Sequence, residues 1–209
     1  MKTFFQSIAI GWDFLAHPRK TVDRLIASPK ASQYAWTFLL LSVSLWALLT
    51  GYMNLIVGAT SRGREALLGI SMGPDIIITL LTIPLGIATI ALASFLVTWV
   101  ARWFGGETRF NHTFCTLSFT LNIGSTFFDY PHEVAQALIA SGLEDPWQLH
   151  KIPGFTYWAA FIMLTPIIWS LTVTIIALAH LYRYSIAKSI LAFLIGILPI
   201  FAALIFIVM

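Results

Sequence analysis

Residues 69–73 read Gly-Ile-Ser-Met-Gly and match the G-x-S-x-G pattern that surrounds the serine nucleophile of many hydrolases. Asp129, His132 and His150 follow in the order serine, acid, histidine. The pattern supports catalysis only when a strand precedes the serine and a helix follows it. Here a short loop precedes Ser71, and an apolar run follows almost at once. We therefore interpret the two glycines as loop residues, and a serine hydrolase on the outer face is the least favoured of three hypotheses.

Residues 132–136, His-Glu-Val-Ala-Gln, approach the zinc-protease motif H-E-x-x-H. That motif needs two imidazoles four residues apart on one helical face, and Gln136 stands where the second would be. A looser metal site stays open, with the candidate ligands Asp129, His132, Glu133 and His150. Glu133 also suits the positive first turn of a short helix. We predict a structural segment that holds no metal and no cofactor.

A polar stripe is the third candidate for chemistry. Cys115, Ser118, Asn122 and Ser125 recur at spacings of three, four and three, which places them on one face of a helix. Inside a membrane such a face packs against other helices through small residues and hydrogen bonds. The alternative is a polar path for a substrate. No charged residue interrupts the predicted span cores, and this favours packing over transport.

The composition indicates which elements position these residues. Hydrophobic residues make up 58% of the chain and charged residues only 10%, whereas soluble domains carry about 25% charged residues. Lipid is the natural solvent for the excess apolar surface, and only helices or closed barrels satisfy their backbone groups there. The apolar runs are long and continuous rather than alternating, so we predict an all-α polytopic membrane protein.

Five apolar runs are long enough to cross a bilayer. An amphipathic segment at 1–33 precedes a five-helix transmembrane domain at 34–209. The predicted spans are 34–57, 76–104, 110–128, 155–180 and 185–209, and the predicted outer loop is 129–154. Ser185 is a suitable N-cap for the fifth span.

The amino-terminal segment is predicted to form two helices divided at Pro18, which ends one helix and suits the first turn of the next. The first has an apolar face, and the second carries the basic cluster Arg19, Lys20 and Arg24. Two interpretations stay open. The helices lie in the headgroup region with their basic side in water, or they pack against the rest of the protein.

Basic residues indicate the orientation of the chain. With a cytoplasmic amino terminus, nine of the twelve lie inside: Lys2, Arg19, Lys20, Arg24, Lys30, Arg102, Arg109, Arg183 and Lys188. The other three lie outside: Arg62, Arg64 and Lys151. This excess favours a cytoplasmic amino terminus. The basic residues are scattered, so we exclude nucleic acid as a partner.

Three segments, taken in order, resemble the Yip (Ypt/Rab-interacting protein) family, in its bacterial form. They are Trp12 with His17-Pro18 and Val22-x-x-Leu25, WFGGETRFNHTF at 103–114, and Trp169-Ser170-Leu171 through Tyr184-Ser185-Ile186-Ala187-Lys188. The resemblance implies five spans, a cytoplasmic amino terminus and, by analogy with eukaryotic members, an adaptor role in trafficking.

The leading hypothesis is therefore a non-enzymatic scaffold or adaptor in a bacterial inner membrane. Its cytoplasmic segments, with Arg19, Lys20 and Arg24, would bind partner proteins or anionic lipid. The second hypothesis is a small-solute transporter or channel that uses the polar third span.

Overall fold

The computed structural model describes residues 2–59, 75–107, 109–131 and 154–208 of the 209-residue chain. These residues form helices, with no strand among them, which confirms the predicted all-α class. The helices are α1 (Lys2–Ala16), α2 (Pro18–Ala27), α3 (Ala31–Ala59), α4 (Asp75–Trp103), α5 (Phe110–Thr120), α6 (Phe155–Tyr182) and α7 (Ile186–Val208). A π-helical turn, Ser125–Asp129, follows α5.

Among the described residues, three helices are long and apolar enough to cross a membrane: α3 over Ala31–Leu49, α4 over Ile83–Trp103, and α6 over Leu164–Tyr182. In α7 the apolar stretch Ile186–Ile200 is shorter. Large apolar side chains on these helices are exposed, as at Phe95, Phe161 and Leu198. Such a surface is suited to lipid, because water would leave it unfavourably solvated. The chain is thus an integral membrane protein with transmembrane helices.

The third predicted span, 110–128, is not one continuous α-helix. The Asn122 side chain donates to the Ser118 carbonyl at 3.0 Å, and the Asn122 backbone N–H bonds to Phe119 instead. Side chains of this type compete with the helical ladder and break it locally. The Gly124 N–H donates to the Ser170 hydroxyl of α6 at 3.0 Å. The chain then widens into the π-helical turn, a form that often marks functional positions.

The core lies where α3, α4, α5 and α6 meet. Phe38, Phe119 and Ile123 are fully buried there together with residues of α6. A second cluster joins α4, α5, α6 and α7, and Val97 and Leu117 are fully buried in it. In lipid such contacts stabilise the bundle chiefly by dispersion and close packing, since the hydrophobic drive between helices is weak.

The two amino-terminal helices pack against this bundle. Phe14 of α1 is fully buried and stacks on Phe119, with ring centroids 5.5 Å apart. Val22 and Leu25 of α2 lie in the same core cluster as residues of α6. Other α1 aromatics, such as Phe5, stay exposed. The bundle therefore covers one face of each helix and leaves the charged or aromatic side free.

Candidate binding site at the amino-terminal helices

Local sequence explains the limits of α2. Pro18 stands in its first turn, where a missing N–H costs nothing. The helix ends before Ser28, whose backbone N–H bonds to the Leu25 carbonyl at 3.1 Å. The Ser28 hydroxyl accepts from the Lys30 N–H at 3.2 Å and begins the turn into α3. The helix therefore holds its charged side chains on a fixed frame of ten residues.

In the structure, the three residues of the predicted basic cluster lie in three different environments. Arg24 forms an ion pair with Asp13 of α1, and both side chains are largely exposed. Arg19 lines a groove, described next, and Lys20 is exposed outside that groove. Within the described part of the chain, neither Arg19 nor Lys20 has an ion-pair partner. Two of the three charges are therefore available for a ligand.

A groove of about 670 Å³ lies between α2 on one side and the end of α6 and the start of α7 on the other. One face of α2 forms its first wall, and the α6–α7 turn forms its second. Its charged and titratable lining groups are Arg19, Asp23, His180, Arg183 and Tyr184. The volume is in the range of small-ligand sites.

Asp23 and His180 join the two walls of the groove. His180 Nε2 lies 2.8 Å from Asp23 Oδ1, although 157 residues separate them along the chain. The imidazole is about one-third exposed and the carboxylate about two-thirds exposed. Solvent screening keeps the energy of such an exposed pair small. Its main consequence is geometric, because it engages Asp23, the one carboxylate that the described residues contribute to the groove lining.

The α6–α7 turn is held by backbone geometry. Arg183 has a φ of 57°, in the left-handed region that a helix C-cap often uses. The Tyr184 N–H donates to the Ala179 carbonyl at 2.8 Å, and the Ser185 hydroxyl accepts from the Lys188 N–H at 3.4 Å. Ser185 thus occupies the N-cap position expected from the sequence.

The turn between α4 and α5 lies against the α6–α7 turn. The Tyr184 hydroxyl donates to the Ala101 carbonyl, and burial raises the pKa of Tyr184. A Cβ on Gly106 would stand 2.9 Å from the Tyr182 ring, which explains the need for glycine. The α2 helix and these two turns form one end of the molecule, which we call the basic end. The basic residues in or beside it are Arg19, Lys20, Arg24, Arg102, Arg109, Arg183 and Lys188.

The third predicted span contributes to two hydrogen-bonded clusters inside the bundle, and Asn122 is the residue of the polar stripe that takes part in the first of them. In the first, Ser42 of α3 donates to the Asn122 amide oxygen at 3.3 Å and accepts from Thr126 at 3.0 Å. The Tyr130 hydroxyl lies 3.4 Å from the same Ser42 oxygen. Ser42 therefore links α3 to the chain around the π-helical turn. Cys115 is buried, and Ser125 begins the turn.

The second cluster lies nearer the basic end. The Thr113 hydroxyl is 2.6 Å from the Tyr182 hydroxyl and accepts from Thr98 at 2.9 Å. Between the two clusters lie the buried hydroxyls of Thr116, Ser118 and Thr120, which have no hydrogen-bond partner within the described residues. Such hydroxyls are costly in an apolar interior.

Replacing Asn122 with leucine is expected to lower thermal stability in detergent slightly. The variant loses the bonds to Ser42 and to the Ser118 carbonyl, and hydrogen bonds within membrane bundles contribute about 0.6 kcal/mol on average, up to about 1.7. Thermal unfolding followed by circular dichroism would measure the change. Ser125→Ala is the matched control, and an equal loss there would contradict the specific role of Asn122.

The outer-face candidates fall mostly outside the described residues. Ser71, His132, Glu133 and His150 are not described, so the serine-hydrolase and metal hypotheses are not tested by the geometry. Asp129 ends the π-helical turn. Within the described ranges, no three His, Cys, Asp or Glu side chains are grouped as metal ligands.

Sequence reasoning missed the second wall of the groove. From the sequence, Arg183 is only an orientation signal, and neither His180 nor Asp23 is singled out. The one available signal was local: an arginine between Tyr182 and Tyr184 at the predicted turn. Nothing in the sequence indicated that this turn faces α2.

The helical bundle, its apolar spans and its packed amino-terminal helices define an all-helical integral membrane protein. Residues 12–209 match the family described as the Yip1 domain, which covers nearly the whole chain. The chain belongs to the Yip family. A comparison with curated proteins found no match, and a comparison with solved structures found none either.

Proposed function

We propose that this protein is a non-enzymatic membrane scaffold or adaptor of five spans, with the basic end in the cytoplasm. Partner proteins or anionic lipid would bind there. Membership of the Yip family supports a membrane role of this general kind. The five-span topology rests on α3, α4 and α6 together with α7 and the broken third helix. A bacterial inner membrane is the proposed location.

One observation carries the proposal: α2 presents free charge on a fixed support. Its inner face is buried through Thr21, Val22 and Leu25, while Arg19 and Lys20 stay exposed. A helix that served only to set orientation would not need to dock on the bundle. A docked helix keeps its charges in a constant geometry, and pre-organisation of this kind favours binding.

Replacing Arg19, Lys20 and Arg24 together with glutamine is expected to weaken partner or lipid capture. Each basic residue near an anionic surface contributes about 1 kcal/mol. Arg24 is already paired with Asp13, so we expect about 2 kcal/mol, or roughly a thirtyfold weaker binding. Chemical crosslinking in native membranes followed by pull-down would measure the loss.

The matched control is Lys2→Gln with Lys30→Gln, which removes charge from the same segment outside the central cluster. The proposal requires that this control keep its adducts while the triple variant loses them. If topology inverts in the triple variant, the residues are orientation signals. If topology and capture both stay unchanged, α2 is not the binding surface.

Reporter fusions are expected to place the amino terminus inside and the carboxyl terminus outside. The excess of basic residues at one end supports this orientation. Fusions after Ala66, Arg109, Glu144, Tyr184 and Met209 should report outside, inside, outside, inside and outside. Alkaline phosphatase and green fluorescent protein give opposite signals and check each other. A cytoplasmic signal at Glu144 would contradict the last three spans.

The buried hydroxyls give some support to transport of a small solute. Thr116, Ser118 and Thr120 lie inside the bundle without partners in the described part of the chain, and unsatisfied groups there can mark a path. Flux into liposomes that contain the purified protein would test this. Loss of flux in Asn122→Leu at full stability would favour transport over the adaptor role.

A further inference from the structure

The groove beside α2 combines charged and apolar surface in one concave site. Its lining includes the apolar side chains of Ile26, Leu181 and Ile186, which are partly or fully exposed. The charged groups come from two different walls, with Arg19 on α2 and Arg183 in the α6–α7 turn. A ligand that fits both surfaces must itself carry charge next to apolar groups. An amphiphile has this chemistry, whereas a small inorganic ion does not use the apolar lining.

The charge balance of the groove selects an anion. Among the described lining residues, two arginines face one carboxylate, Asp23, and that carboxylate is already engaged by His180 at 2.8 Å. Neither guanidinium has an ion-pair or hydrogen-bond partner within the described residues. The end of α6 and the start of α7 bring opposite helix dipoles, which offset one another. The two guanidinium groups therefore supply most of the attraction.

The position of the groove indicates where the anion comes from. It opens at the last turn of α6, directly where the candidate span Leu164–Tyr182 ends. That is the depth at which lipid headgroups meet water. Arginine presents a planar fork that matches phosphate oxygens, and basic pockets between transmembrane helices can bind phospholipid headgroups.

We propose that this groove binds one anionic phospholipid, with its phosphate between Arg19 and Arg183 and its glycerol and upper acyl carbons over the apolar lining. The inference rests on the proposed function, because both place binding at the basic end. It adds a defined ligand class and a defined site. The bound lipid would also connect α2 to the α6–α7 turn, beside the contact between Asp23 and His180.

Purified full-length protein in neutral maltoside micelles, titrated with dioctanoyl phosphatidylglycerol, tests the proposal. Native mass spectrometry measures the dissociation constant. Arg19→Gln and Arg183→Gln are each expected to weaken binding about fivefold. Lys30→Gln is the matched control, since Lys30 is exposed and does not line the groove, and less than a twofold change is expected. Dioctanoyl phosphatidylcholine should bind at least fivefold more weakly.

Asp23→Asn gives a change of opposite sign, which a folding defect would not produce. The amide keeps the size of the side chain and removes its negative charge, so phosphatidylglycerol should bind about fivefold more tightly. Equal losses in Lys30→Gln and Arg19→Gln would overturn the groove in favour of diffuse surface attraction. Displacement of the lipid by millimolar inorganic phosphate would overturn the lipid assignment. Unchanged affinity in both arginine variants would overturn the site.

The two sets of measurements distinguish a failure of the lipid site from a failure of the proposed adaptor function. If the groove binds no lipid but the α2 triple variant still loses its crosslinked adducts, the adaptor proposal stands alone. If Arg183→Gln loses lipid while adduct formation is unchanged, the groove is a lipid site and partners bind elsewhere.

Discussion

Phe119→Ala is expected to give the largest loss of stability of any single truncation considered for this protein. Phe119 is fully buried, and its ring lies between Phe14 of α1, at 5.5 Å, and Phe38 of α3, at 4.8 Å. Phenylalanine-to-alanine changes in protein cores cost about 3–5 kcal/mol. In lipid the transfer contribution shrinks, while the lost dispersion contacts and the cavity remain. We therefore expect about 3 kcal/mol, at the lower end of that range.

The Phe119→Ala variant should also weaken the docking of α1 on the bundle. Because Phe14 stacks on Phe119, truncation removes the surface on which the first helix docks. Unfolding by added dodecyl sulphate would measure stability, and limited proteolysis within α1 would measure release. Phe128→Ala is the matched control, since Phe128 is in the same region but 43% exposed. If both variants unfold alike, the aromatic contact with α1 has no special role.

Gly124→Ala is expected to destabilise the bundle by about 1–3 kcal/mol, as overpacking in a core does. A Cβ at this position would meet the Pro166 carbonyl oxygen at 2.7 Å, and the Ser170 hydroxyl lies closer still. A backbone atom cannot rotate away, so α6 must shift from the π-helical turn. The shift would also lengthen the 3.0 Å hydrogen bond from the Gly124 N–H to Ser170. Thermal unfolding in detergent measures the loss.

Two further variants distinguish the effect of the added methyl group from the effect of the weakened hydrogen bond. Gly86→Ala adds the same methyl on α4, where the nearest atom would be a Val43 side-chain carbon at 3.1 Å. That side chain can adjust, and alanine has the better helix propensity, so stability should stay within about 1 kcal/mol. Ser170→Ala removes only the hydrogen bond and should cost about 0.6 kcal/mol. Wild-type stability in Gly124→Ala would show that the contact with Pro166 relaxes freely.

Much of the fold was predictable because its signals are local. Apolar runs without charge predicted the helices that the structure shows as α3, α4, α6 and α7. Pro18 and Ser185 marked two helix starts, since proline geometry and a capping hydroxyl act within one turn. The break near Asn122 was not predictable. It depends on a side chain that bonds its own helix and on the Ser170 hydroxyl, 46 residues beyond Gly124.

Only the α2 side of the candidate site was predictable from the sequence. The charge and amphipathic pattern of α2 identified Arg19, Lys20 and Arg24 as candidates, but the pattern could not separate them. The three side chains differ because each one faces a different part of the structure. Arg24 meets Asp13 of α1, Arg19 meets the groove, and Lys20 remains exposed outside it.

Hydropathy and charge are properties of each segment alone, and they decide whether that segment enters lipid. The sequence was therefore sufficient for the membrane class, the helical content and the amphipathic character of α2. Contacts between segments depend on which helical faces pack together, and that choice involves all the helices at once. Only the tertiary structure places Asp23 beside His180 and Ser42 beside Asn122, across 157 and 80 residues. The groove between α2 and the α6–α7 turn exists for the same reason, because close packing at Val22 and Leu25 brings those two walls together.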